Sequence, residues 1–118
     1  MHTTKINGAA TGDEFKTLPE AREAAKAHNA SHDDDEFAIC VRGKPIEVWV
    51  GEVTFMAAGP DAWIAYSAAD IDSIGAVRKA GSVWSAGNRG LNVGEFLTLR
   101  EAADALHNHA TSGAYRAA

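Results

Sequence analysis

The stretch Phe15-Lys16-Thr17-Leu18-Pro19-Glu20-Ala21 returns about eighty residues later as Phe96-Leu97-Thr98-Leu99-Arg100-Glu101-Ala102, and no other feature constrains the fold as much. Each copy reads as a helix start. The threonine hydroxyl can accept a hydrogen bond from a free amide of the first turn, and the glutamate three residues on reaches back to it. In the first copy Pro19 adds to the signal, because the first turn has no intrahelical use for its missing N–H. The spacing predicts two capped helices, over about 18–30 and about 99–110. The first lines up Leu18, Ala21, Ala24, Ala25 and His28 along one side, the second Leu99, Ala102, Ala103, Leu106 and Ala110. A face made largely of alanine adds little apolar area, so such a helix is held by docking on a sheet. Two copies this far apart are too few for a solenoid; ancestral duplication and a coincidence of capping chemistry both account for them.

The chain between the two copies supplies the sheet. Phe37, Ile39 and Val41 alternate with smaller residues from Glu36 to Arg42, the period of a strand. Arg42-Gly43-Lys44-Pro45 turns into a second strand, Ile46 to Val50, with Ile46, Val48 and Val50 inward and Glu47 and Trp49 outward. Past Gly51-Glu52 the apolar phase shifts to Val53 and Phe55, the mark of a bulge or tight turn. Ala62 to Tyr66 and Ser82 to Ala86 read as further short strands, and residues 87–94 as a glycine-rich connector. Ile71, Ile74 and Val77 fall at helical spacing and predict a short third helix over about 69–80, with Gly75 in its middle counting against it. Ahead of the first helix, Asn7-Gly8 suits a type I′ turn, which makes residues 1–14 either a short hairpin or a flexible arm. Ala114-Tyr115-Arg116 reads as a stub of strand. The expectation is an α+β fold: one domain over 1–118, an antiparallel β-meander of three to five strands, and helices packed mainly on one face.

A chain of 118 residues is long enough to bury one core, and its net charge of -5 shapes what it can bind. With no basic cluster to neutralise phosphates, direct nucleic-acid binding is not expected. No segment is apolar and long enough to cross a bilayer, and the N-terminus lacks a signal-peptide run, so the expected compartment is cytoplasmic. Cys40 is the only cysteine; inside a strand it reads as a core thiol in a reducing setting.

Catalytic motifs are missing: no nucleophile elbow, Walker loop, His-Glu-x-x-His or Cys-x-x-Cys occurs. Arg89, in the glycine-rich segment before the second helix, offers a weak anion site. His28 and His32 stand four apart next to Asp33, Asp34 and Asp35, but the helix ends between them, and His107 and His109 point in different directions. No metal and no cofactor are therefore expected. Two surfaces remain: the acidic run Asp33, Asp34, Asp35 and Glu36, suited to a basic partner, and the strand face carrying Glu47 and Trp49, which is exposed if both helices cover the other side. These point to a small acidic, non-enzymatic protein-binding module. One concrete form is a stoichiometric inhibitor of a nucleic-acid-handling protein, such as a phage counter-defence (anti-CRISPR-like) factor, whose carboxylates compete for a basic groove. The alternatives are a small enzyme or ligand-binding domain with a histidine- or Arg89-lined cleft, and a homo-oligomer that associates through its sheet.

Overall fold

Asn7 and Gly8 both take positive φ, 51° and 83°, and so do Arg42 and Gly43, 53° and 78°. These pairs form two-residue hairpin turns of the kind that match strand twist. The computed structural model describes residues 1–32, 34–67, 73–88 and 91–111. The strands are β1 (His2–Ile6), β2 (Ala9–Phe15), β3 (Glu36–Val41), β4 (Lys44–Val50), β5 (Val53–Gly59), β6 (Ala62–Ser67), β7 (Ser73–Ala80), β8 (Val83–Asn88) and β9 (Leu91–Phe96). Helix α1 (Leu18–Ser31) follows β2, and α2 (Leu99–Thr111) follows β9. All nine strands form one antiparallel sheet in the order β2-β1-β3-β4-β5-β6-β7-β8-β9. Residues 1–14 are thus a hairpin rather than an arm.

Three expectations need correction. Among the described residues the sheet has nine strands rather than three to five, because β1, β2, β7 and β9 lack plain alternation. In place of the third helix over 69–80, residues 73–80 form β7, and 68–72 lie outside the described residues. The reason is a bulge: Ala65 pairs with Gly75 and Tyr66 with Ser73, so Ile74 is an extra residue in the ladder. It turns Ile74 to the side of Val77 and converts a period of two into an apparent helical spacing of three. Strand β9 was hidden in the same way, since Val93 is extra where Ala86 pairs with Gly94 and Gly87 with Asn92.

The third correction concerns the faces. Along β4, Trp49 packs with Phe37 and Ile39 under α1, while Val48 and Val50 belong to the cluster that holds Leu99, Ala102, Ala103 and Leu106 of α2. Alternate residues of one strand point to opposite sides. The two helices therefore lie on opposite faces. The cause is handedness. β1-β2-α1 and β8-β9-α2 are the same hairpin-and-helix unit, placed at the two edges of one sheet. β1 and β8 are an even number of places apart in an antiparallel sheet, so they run in the same direction. Strand twist has one hand, and so does a hairpin with a helix folded back on it. Two copies of that hand at opposite edges are related by half a turn about β5, the middle strand, which exchanges the faces. Had both helices shared a face, one unit would be a mirror image of the other.

Both capping boxes form. Thr17 Oγ1 accepts the Glu20 N–H at 3.4 Å and donates to its carboxylate at 3.1 Å; Thr98 Oγ1 does the same with Glu101 at 3.1 and 3.0 Å. Under α2 the sheet shows Val53, Phe55, Ala65, Val77 and Ala86, all buried. A close approach fixes Gly75, where a Cβ would lie 2.6 Å from both Gly87 O and Leu106 Cδ2. Under α1 the buried side is smaller: Ala21 and Ala25 against Phe37 and Ile39.

Candidate protein-contact site

Because each helix covers only its own half, no helix among the described residues covers the α1 side of the sheet from β5 onward. Cross-strand partners Met56, Ile64 and Ala76 form a row there that continues from Glu47, and Tyr66 pairs with Thr54 beside Trp49. Met56, Ile64 and Tyr66 are half-buried, while Ala76 and Arg78 are exposed. A shallow groove of about 430 Å³ continues the row between Ala76, Ser85, Gly87, Asn88 and Asn92. Aromatic and long apolar side chains on an open sheet face are ordinary ingredients of a contact surface.

Glu47 and Trp49 sit at the border of that face, not at its centre. Glu47 is 2% exposed, and its carboxylate accepts from Arg22 Nε at 3.0 and 3.1 Å and from Arg22 Nη2 at 2.6 Å. The Trp49 indole N–H donates to the same carboxylate at 3.0 Å. This planar, two-pronged pairing, reinforced by its charge, raises the Arg22 pKa. Trp49 is half-buried against the α1 cluster, contrary to the exposed position its alternation suggested. The alternation holds from Glu47 to Val50, with α1 on the side that was taken to be open; Ile46, expected beside Val48 and Val50, is an extra residue where Ile39 pairs with Glu47 and Cys40 with Pro45, and it packs on the α1 side with Trp49.

The acidic run is spread over several partners. Asp34 binds Arg100 of α2 at 2.8 Å and is otherwise open to solvent. Asp35 accepts from Asn7 Nδ2 at 2.9 Å and meets His28 Nε2 at 2.8 Å; the Asn7 bond first, then the His28 bond, holds its carboxyl below the usual carboxylate range. Asn7 Oδ1 also accepts the Glu36 N–H at 2.9 Å. Burial pushes the Glu36 carboxyl up, with Arg100 pulling the other way. Asp33 lies outside the described residues, as do Arg89 and the segment 114–116. The run thus ties the β1–β2 turn, the end of α1 and the start of α2 to one another, and Asp34 is the most outward of its described members.

His28 and His32 stack at 4.7 Å between ring centroids. Among the described residues no group of three or more histidine, cysteine, aspartate or glutamate side chains is placed to hold a metal ion. At the same end of the sheet, a cleft of about 200 Å³ opens between the β4–β5 turn and α2, where His107 Nε2 meets Glu52 at 2.9 Å and Arg100 lies within 4.0 Å of Asp104. Cys40 is buried and free, and burial raises its pKa, so it is a packed thiol rather than a nucleophile. No helix among the described residues is long and apolar enough to cross a membrane.

Sequence reasoning left the facing of Tyr66 unassigned and did not single out Met56 or Ile64, because which half of a face a helix covers depends on where the helices land. The His107–Glu52 pair joins residues more than fifty positions apart, and no local signal marks it. Compared with protein-family models, with curated proteins and with solved structures, the chain matches none.

Proposed function

We propose that the protein is a non-enzymatic protein-binding module that acts by occupying a partner's surface, with its contact centred on Met56, Ile64, Tyr66 and Ala76. What carries this reading is the half of the α1 side that no described helix covers, an apolar strip with Trp49 at one border and Arg78 at the other. The net charge of -5 favours a partner with a basic face, consistent with a stoichiometric inhibitor of a nucleic-acid-handling protein such as a phage counter-defence factor. In this reading Asp34 contributes at the rim, and Glu47 orients Trp49 instead of meeting the partner. Affinity capture with mass spectrometry, comparing wild type with Ile64→Lys/Tyr66→Lys, tests it. The expected result is a protein held in stoichiometric amount by wild type and lost by the variant, with binding weakened by salt. Equal capture by both would refute the contact face.

The cleft at His107 favours a second reading, a small-ligand site. Glu52 and Asp104 outnumber the one arginine that lines it, so a cationic group is the chemistry it suits. A thermal-shift screen of small amines against wild type and Glu52→Gln checks this: stabilisation of wild type alone supports it, and no stabilisation sinks it.

A further inference from the structure

Asn7-Gly8 is the only asparagine-glycine step in the chain; Asn29, Asn88, Asn92 and Asn108 precede Ala, Arg, Val and His. Asn7 is exposed, yet its side chain holds three parts of the fold together. Its Nδ2 donates to Asp35 Oδ1 at 2.9 Å, its Oδ1 accepts the Glu36 N–H at 2.9 Å, and the other Asp35 oxygen meets His28 of α1 at 2.8 Å. The residue after it is open. Gly8 takes positive φ, a Cβ there would meet nothing within 4 Å, and its N–H makes no hydrogen bond among the described residues. A free, unhindered amide nitrogen thus stands next to a carboxamide on which the corner depends.

We propose that Asn7 is a site of spontaneous deamidation, gated by its bond to Asp35, and that its conversion unties the β1–β2 turn from the end of α1. The Gly8 nitrogen attacks Asn7 Cγ: the N–Cγ bond forms, the Cγ–Nδ2 bond breaks, and Nδ2 leaves as ammonia with the proton from the Gly8 amide. Water then adds to either carbonyl of the ring and opens it to aspartate or isoaspartate. Closing that five-membered ring takes the side chain out of its staggered rotamer, so the bonds to Asp35 and Glu36 have to break first. The rate therefore follows local opening of this corner and not the exposure of the turn. The product cannot restore the tie. A carboxylate oxygen replaces the Nδ2 donor opposite Asp35 Oδ1, so two like charges meet where a hydrogen bond stood. The isoaspartate form also adds a backbone carbon to a two-residue turn whose geometry sets the register of the hairpin.

Incubation of the full chain in mildly alkaline buffer, with peptide mass spectrometry of each asparagine over time, tests the site and its gate. Asn7 of wild type is expected to convert more slowly than in the same chain unfolded in urea. Asp35→Ala is expected to speed conversion at Asn7 several-fold and to leave Asn29 and Asn92 at the wild-type rate. No conversion at Asn7 in the unfolded chain overturns the proposal, and so do equal rates at Asn7 in wild type and Asp35→Ala. An equal acceleration at every asparagine would mean global unfolding and overturns the gate. Asn7→Asp reproduces the charge of the product; it is expected to melt below wild type, with faster amide exchange in α1 and not in α2. Adding Asp35→Asn exchanges donor and acceptor and is expected to recover part of that loss. An Asn7→Asp chain that melts with wild type overturns the release of α1.

Discussion

The two halves of this sheet carry the same hairpin-and-helix unit, yet their helices are held by different means. Helix α2 is held by shape: Leu99 and Leu106 sink into a floor of Val53, Phe55, Val77 and Ala86. Helix α1 is held by chemistry. Its fully buried residues are Ala21 and Ala25, with Leu18 and Ala24 half-buried beside them, and it relies on the Arg22–Glu47–Trp49 bonds and on the His28–Asp35–Asn7 ties at its end. It also tolerates an Asn29 amide whose buried polar atoms find no partner among the described residues, a cost of about 1–3 kcal/mol. One local sequence can thus specify a helix and its cap while leaving the mode of docking to the residues between.

The contrast can be broken most strongly at Leu106. It is fully buried, and Leu106→Ala is expected to destabilise by about 3–5 kcal/mol, read from urea unfolding. On the other side Arg22→Ala should cost about 2 kcal/mol, because it strands a buried carboxylate with only the Trp49 N–H; that figure is reduced for the partial exposure of Arg22. Adding Glu47→Leu to Arg22→Ala should recover part of the loss. A further loss would mean that α1 is docked by packing after all. Thr17→Ala and Thr98→Ala should each cost about 1 kcal/mol, equal within error, because the caps are alike even though the docking is not.

The smallest effect is in acid. The folded pKa of Asp35 is depressed, so its contribution is present above the unfolded carboxylate pKa of about 4 and is lost as pH falls through the folded value. Asp35→Asn should therefore flatten the acid side of the melting profile below about pH 4 and leave the α2 half untouched. Amide exchange resolved by residue separates the two halves.

Local features were readable in the sequence and relational ones were not. Asn7-Gly8, Arg42-Gly43 and both capping boxes act within four residues, and all formed as expected. The bulges at Ile74 and Val93 are defined only by the strand opposite, and they disguised β7 as a helix and β9 as a loop. The placement of the helices on opposite faces follows from counting strands and applying one hand, which a correct strand count would have allowed. The Glu47–Trp49 border was visible as an alternation. Met56 and Ile64 could be singled out only after it was known where α1 ends.

Of the eight strand pairings among the described residues, seven join neighbours along the chain, and only β1 with β3 does not. That pairing sets His2 against Val41 and closes over β2 and α1. From β3 to β9 the sheet can therefore assemble as a run of local hairpins, which is rapid, whereas β1 must wait for a long loop to close. A time-resolved labelling experiment would find β1 and β2 among the last amides to become protected, and the first strand of the chain would be the last to join the sheet.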